Sequence, residues 1–283
     1  MAGFDVNRVG FGAMQLPGPG VMGPPKDRDA ALAVLRRALE LGVNHIDTAQ
    51  FYGPDVANEL IREALHPYPA ELALVSKVGA GRDESGNFVP RQQPEELIAD
   101  VEANLKSLGV EQLAAVNLRL MDAEAGDGEA AVPLEAQLEA MESLRSAGKI
   151  AGIGLSTATT DQVRQAHESV GLVCVQNAFS LLDQSDEPTL DFCAAQGIAY
   201  VPYFPLGSAF PGMPKVVDDA NVREVAQRLE VSPAQVGLAW LLRHSDCTLL
   251  IPGTSSVAHL EENLAVGELA LDARAMDQLA KIQ

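Results

Sequence analysis

The sequence predicts an α/β fold of the (β/α)8 TIM-barrel type, and three observations carry that expectation. Short runs rich in apolar and β-branched residues alternate with longer helix-patterned stretches along the whole chain, the mark of βα units on a parallel sheet. Eight such runs can be counted. No shift of composition and no long Pro/Ser linker interrupts the 283 residues. A single domain over residues 1–283 is therefore expected, since an α/β barrel takes about 250 residues as one unit.

The predicted strands are residues 9–16, 44–49, 72–78, 114–120, 150–156, 172–178, 198–204 and 248–252, each bounded by Gly, Pro or polar residues. Punctuation marks the helix ends. Helices over 29–41, 94–108 and 133–147 run into Gly42, Gly109 and Gly148, and glycine takes the left-handed backbone past a helix C-terminus without steric penalty. The helix over 233–244 opens with Ser232 as N-cap ahead of Pro233, which needs no N–H partner in the first turn. Trp240 falls in its apolar face and is assigned to the core.

A chain with 47% hydrophobic and 21% charged residues can fill a large core, which excludes collagen, disorder and a small disulfide scaffold. The 39 acidic and 20 basic residues leave a formal charge of −19. Such a surface repels phosphate backbones and anionic lipids, and no basic patch offsets it, so neither nucleic acid nor membrane is expected as a partner. Cys174, Cys193 and Cys247 are odd in number, far apart and set among apolar residues. They read as reduced core thiols in a cytoplasmic protein, with no metal site. No secretion signal and no apolar run near the ~18 residues of a membrane span are found.

In a barrel of this kind, chemistry collects at the C-terminal ends of the strands. The polar residues that fall there are Asp47, Tyr52 in the loop beyond it, Lys77, Arg119, Ser156, Gln176, Asn177 and Tyr203. One nearby motif misleads. Gly18, Gly20 and Gly23 match the G-x-G-x-x-G of dinucleotide-binding folds, but that motif works by presenting a helix N-terminus to pyrophosphate. Pro19 stiffens the turn and Pro24-Pro25 interrupt before a helix can begin, so the segment is expected to be a loop over the barrel mouth.

The run His45-Ile-Asp47-Thr-Ala-Gln-Phe-Tyr52-Gly53, with Ser76-Lys77-Val-Gly79 one βα unit later, resembles the aldo-keto reductase superfamily. The resemblance continues through Gly152-Ile-Gly-Leu-Ser156, Val175-Gln176-Asn177, Tyr203-Phe-Pro-Leu206-Gly207, the stretch from Ser232 to Trp240, and Ile251-Pro-Gly253-Thr254, ending near Glu262-Asn263. It implies a barrel that uses NADPH to reduce a small-molecule carbonyl. A narrower resemblance, carried by 15–28, 117–121 and 251–260, is to bacterial NADPH-dependent pyridoxal reductases, which implies reduction of pyridoxal to pyridoxine. A reductase of other aldehyde or ketone range and a nicotinamide-binding sensor with little turnover are the alternatives. A Schiff-base aldolase would also use a strand-end lysine, but gives no reason for the run from Asp47 to Tyr52.

The same residues make chemical sense for that reaction. Reduction of a carbonyl carbon leaves negative charge on oxygen, so a proton donor and fixed positive charge are needed beside it. Tyr52 is the donor, Lys77 supplies the charge and is expected to pull the phenol toward neutrality, and Asp47 holds the ammonium. At the fourth strand end the family usually has a histidine that hydrogen-bonds the carbonyl, and here stands Arg119. None of His45, His66, His167, His244 or His259 takes its place. Arg119 either donates to substrate without shuttling protons or folds away into an ion pair.

The resemblance also implies the cofactor contacts. Ser156, Gln176 and Asn177 match carboxamide-binding positions, Tyr203 matches the aromatic that stacks on nicotinamide, and Leu206 lies in the same loop. Gly253, Thr254, Ser255, His259, Glu262 and Asn263 match the adenosine phosphate site at a helix N-terminus. Relatives often carry Lys near Gly253 and Arg at His259, so the cationic grip on the 2′-phosphate is reduced here.

Overall fold

The computed structural model describes residues 3–121, 132–207 and 214–282. Its centre is a parallel sheet of seven strands in the order β1 (Phe11–Gly12), β2 (His45–Asp47), β3 (Ala73–Val78), β6 (Ala115–Arg119), β7 (Ile153–Ser156), β8 (Cys174–Gln176) and β9 (Ala199–Tyr200). A separate antiparallel hairpin joins β4 (Ala80–Arg82) to β5 (Phe88–Pro90). The helices are α1 (Arg28–Glu40), α2 (Val56–Leu65), α3 (Pro94–Leu108), α4 (Leu134–Ser146), α5 (Thr160–Val170), α6 (Glu187–Gln196), α7 (Ala220–Leu229), α8 (Pro233–His244), α9 (Val257–Leu264) and α10 (Ala273–Leu279).

Strands buried on both faces explain why the sequence shows short apolar runs rather than clean alternation. On one face the strands pack against the buried stripes of the helices, such as Leu32, Val34, Leu35 and Ala38 of α1. On the other, Val75, Ala115, Cys174, Val201 and Leu249 form a second, smaller apolar cluster. Helix punctuation behaves as the residue types require: Gly109 ends α3 at φ 73°, and Ser232 caps α8 by accepting from the Gln235 amide. Trp240 is buried and stacked on His244, 4.5 Å between ring centroids.

Three predicted strands differ from the structure, the seventh shrinking from 198–204 to Ala199–Tyr200. The first shrinks from 9–16 to Phe11–Gly12, because the backbone turns into a short 3-10 helix over Ala13–Gln15 ahead of Pro17. The eighth, 248–252, is not a strand. Single parallel bridges, Tyr200↔Thr248 and Val9↔Leu250, join this segment to both edges of the sheet, and Pro252 has no N–H with which to extend either ladder. The β4–β5 hairpin was not anticipated, and its turn is built by Asp83, whose carboxylate accepts from the Ser85 and Asn87 amides at 2.9 and 2.8 Å.

His45 is 2% exposed and neither ring nitrogen has a hydrogen-bond partner. It faces Gly10, where a β-carbon would lie 2.3 Å from the imidazole, so glycine is required there. Burial pushes its pKa down to about 4. The unfolded chain then binds a proton that the folded one refuses between about pH 6.5 and this value, so stability falls as pH falls through that window. Urea unfolding at pH 7 and pH 4.5 should show the wild type losing about 2 kcal/mol more than His45→Leu. An equal loss in both proteins would show that His45 is not the group responsible.

Candidate active site

The sheet register sets the predicted site residues in one layer. Gly12 pairs with Asp47, Lys77 with Asn117, Arg119 with Ser156, and Ser156 with Gln176. Asp47 and Lys77 are 3% and 4% exposed. Lys77 Nζ donates to Asp47 Oδ1 and, at 3.2 Å, to the Thr48 carbonyl. The other oxygen of Asp47 accepts from Gln176 Nε2 at 3.0 Å. Both lone-pair sides of the carboxylate are thereby fixed, which a charge removed from water needs.

Tyr52 sits in the turn after β2, buried, with Lys77 Nζ 5.0 Å from its ring centroid. Its position is set from two sides. Gly53, at φ 108°, donates to the Val21 carbonyl at 3.1 Å and accepts from Gly23 at 2.9 Å, so the loop of the G-x-G-x-x-G decoy braces the tyrosine turn. Beneath it runs a buried amide network that the sequence did not reveal. Thr48 Oγ1 donates to Asn58, Asn58 to Asn104, Ser76 to Asn104, and Asn104 to Gln50, at 2.6–3.0 Å. Scattered Thr, Asn, Ser and Gln in apolar surroundings were the available signal.

The phenol corrects one expectation. Burial raises the Tyr52 pKa, with Asp47 adding to the rise, and the opposing charges of Lys77 and Arg119 do not reverse it. The expected pull toward neutrality is overcome, and Tyr52 remains a protonated donor. At Lys77 burial disfavours the ammonium, but Asp47 and then Tyr52 outweigh it and raise the pKa.

Arg119 ends β6 half-buried, its guanidinium carbon 5.1 Å from the centroid of Phe88. Its Nε is buried without a partner, and among the described residues it makes no ion pair. Of the two readings the sequence left open, folding away against a carboxylate has no counterpart among the described residues. Gly79, at φ 97°, lets β3 approach closely, since a β-carbon there would lie 2.4 Å from the Arg119 carbonyl oxygen.

The predicted cofactor residues fall into two groups. Ser156 and Gln176 are neighbours on β7 and β8, next to Asp47. Tyr203 follows, its amide donating to the Asn177 carbonyl at 2.9 Å, with its ring edge-on to Phe204. Asn177 is already engaged: its Nδ2 donates to the Ala158 carbonyl and to Asp186, and its Oδ1 accepts from the Ala158 amide. Its side chain therefore holds the β7 loop. That loop contains Thr157 at φ 59°, an outlying conformation for a β-branched residue and one of the strained positions that gather at functional sites. Leu206, half-buried, accepts a backbone hydrogen bond from Val216 at 3.0 Å.

Gly253, Thr254, Ser255, His259, Glu262 and Asn263 form the second group, around the start of α9. Ser256 caps that helix, accepting from the His259 amide, and Thr254 Oγ1 accepts from the Ser256 amide at 3.0 Å. Arg37 neutralises Glu261 through a 2.8 Å contact. No cluster of three His, Cys, Asp or Glu side chains suited to a metal occurs among the described residues.

Residues 8–283 match the family model described as Aldo/keto reductase family. The chain belongs to the aldo/keto reductase family. It is 48% identical over 275 residues to pyridoxine 4-dehydrogenase of Escherichia coli (strain K12), covering 97% of this chain and 94% of that protein. Among solved structures it resembles a thermostable aldo-keto reductase in complex with the inhibitor epalrestat, at TM-score 0.83 and 26% identity over 99% of this chain and 97% of that one. A Klebsiella pneumoniae aldo-keto reductase in complex with NADPH aligns at TM-score 0.80 and 26% identity, over 98% of this chain and 91% of that one.

For this aldo-keto reductase the protonated, buried Tyr52 yields a direct expectation. Tyr52→Phe should lower carbonyl-reduction turnover about a hundredfold or more while nicotinamide binding stays close to wild type. Because burial raises the phenol above its ordinary value, wild-type kcat/KM should show no alkaline loss from this group below about pH 10. Wild-type turnover in the phenylalanine variant would remove Tyr52 from the role of acid.

Proposed function

We propose that this protein is an NADPH-dependent reductase of small carbonyl compounds, with pyridoxal, reduced to pyridoxine, as its substrate. The observation that carries the reading is the buried Asp47–Lys77 pair set against a Tyr52 that burial keeps protonated. The 48% identity to pyridoxine 4-dehydrogenase supports the substrate, since that name denotes the same alcohol–aldehyde interconversion in the opposite direction. The working unit is taken to be a single domain of the (β/α)8 type, with residues 248–252, bridged singly to Val9 and Tyr200 at the two edges of the seven-stranded sheet, in the place of the eighth strand. The three unpaired cysteines support a reducing, cytoplasmic setting.

The residues present fit NADPH. Gln176 spends its amide hydrogens on Asp47 and keeps a carbonyl oxygen that can accept from a carboxamide, with the Ser156 hydroxyl beside it. The capped start of α9 offers the positive end of a helix dipole to a phosphate. His259 is the one basic side chain within 253–263, so discrimination against NADH is expected to be modest. When bound, NADPH supplies the reducing equivalent.

The protein's own part is to place and charge the carbonyl oxygen. Tyr52 delivers the proton, with Lys77 stabilising the phenolate left behind and Asp47 holding Lys77 in place. Arg119, whose Nε is buried without a partner among the described residues, donates to the substrate as a guanidinium cation. Stopped-time assays of NADPH oxidation against a panel of aldehydes that includes pyridoxal test the proposal. Pyridoxal should give the highest kcat/KM of the panel. A panel in which no aldehyde accelerates NADPH oxidation would overturn the assignment as a reductase, and one led by unrelated aldehydes would overturn the substrate.

A further inference from the structure

Arg82 closes β4, on the hairpin that the sequence did not announce. Its guanidinium carbon lies 3.5 Å from the centroid of Phe88, the same ring that Arg119 approaches to 5.1 Å. One side of Arg82 is anchored: Nη1 donates to the Gly86 carbonyl at 2.8 Å and Nε to the Phe51 carbonyl at 3.4 Å. The other side is not. Among the described residues Nη2 of Arg82 is buried without a partner, as is Nε of Arg119.

Neither arginine forms an ion pair with a carboxylate among the described residues, whereas Arg28, Arg37, Arg91, Arg145, Arg223 and Arg228 all do. In a chain with 39 acidic and 20 basic residues, two half-buried guanidinium groups that no carboxylate of the described residues neutralises form a locally basic patch. Burial weakens the hold of Arg82 on its proton, and the nearby charge of Arg119 weakens it further. Like charges brought together, with N–H groups left unpaired, cost stability rather than supply it. An anion bound between them would reverse both penalties. Arg82 Nε donates to the carbonyl of Phe51, whose ring lies edge-on to that of Tyr52 at 5.3 Å, so such an anion would sit near the proposed proton donor, on the molecule being reduced.

We infer that Arg82 is a specificity-determining residue which, together with Arg119, receives an anionic oxygen carried by the carbonyl substrate. The inference rests on the carbonyl-reductase reading and refines it to acidic aldehydes. In pyridoxal the anion is the ionised ring hydroxyl beside the aldehyde, and in its phosphate ester a phosphate is available as well. Planar guanidinium forks suit either, with charge-assisted hydrogen bonds stronger than neutral ones.

The test compares kcat/KM for pyridoxal, pyridoxal 5′-phosphate and pyridine-4-carbaldehyde, which lacks both acidic groups, in wild type, Arg82→Met and Arg82→Lys. The ratio of pyridoxal to pyridine-4-carbaldehyde should fall tenfold or more in Arg82→Met and recover in part in Arg82→Lys, which keeps the charge. A larger fall with the phosphate ester than with pyridoxal would identify the phosphate as the group held, and an equal fall the phenolate. A ratio unchanged by Arg82→Met would overturn the subsite while leaving the reductase reading intact. Calorimetric binding of pyridoxine and of pyridine-4-methanol to the NADPH-loaded enzyme gives a readout free of turnover. Preference for pyridoxine should be lost in Arg82→Met. If wild type reduces no aldehyde yet shows this preference, the subsite stands and the reductase reading fails. If it shows no preference, the subsite fails.

Discussion

The structure turns on one ion pair removed from water, Lys77 with Asp47. Breaking such a pair leaves an uncompensated buried charge, typically worth about 3–5 kcal/mol, so its surroundings are built to complete it. The Thr48 carbonyl takes a second hydrogen of the ammonium, and Gln176, with three strands of the sheet between it and Asp47, reaches the free carboxylate oxygen. The parallel register that brings these strand ends together is therefore as much a part of the site as the side chains.

Charge sets the division of labour around that pair. Burial and the neighbouring Asp47 carboxylate hold the Tyr52 phenol in its protonated form, and Lys77 and Arg119 act in the opposite direction. In the proposed reaction the cations would matter most once the proton has left, when a phenolate would stand where a neutral phenol stood and the reacting oxygen would be quenched. This is preorganised electrostatic stabilisation: the charges are in place before they are needed. A histidine at the end of β6 would add a group that titrates near pH 6.5, whereas Arg119 keeps the field constant and leaves selectivity to the hydrogen bonds it can form.

Much of this was legible in the chain. The alternation of apolar runs and capped helices located the βα units, and the fixed spacing of Asp47, Tyr52 and Lys77 located the chemistry, because strand ends in such folds point to one face. The parts that were not legible depend on tertiary context. The segment 248–252 has strand-like residues, yet only single bridges form on each side of it. The β4–β5 hairpin is too short, and too reliant on the Asp83 turn, to give a periodic signal. Nothing in the sequence marks Asn58 and Asn104 as buried and bonded to one another. The Tyr52 shift has the opposite sign to the one expected from Lys77 alone, because the degree of burial cannot be read from spacing. Arg82 gave no signal at all until the fold placed it against Phe88, the ring that Arg119 also approaches.

If Asp47 acts solely by holding Lys77, the two residues form one functional unit, and units of this kind lose activity non-additively. The measurement that bears on this most directly is kcat/KM for the best aldehyde in Asp47→Asn, Lys77→Met and the double variant, each checked for native circular dichroism. The double variant should lose about the same factor as Lys77→Met alone. Losses that multiply would mean that Asp47 contributes to the reaction independently of Lys77, and would contradict the account of the site built on their pairing.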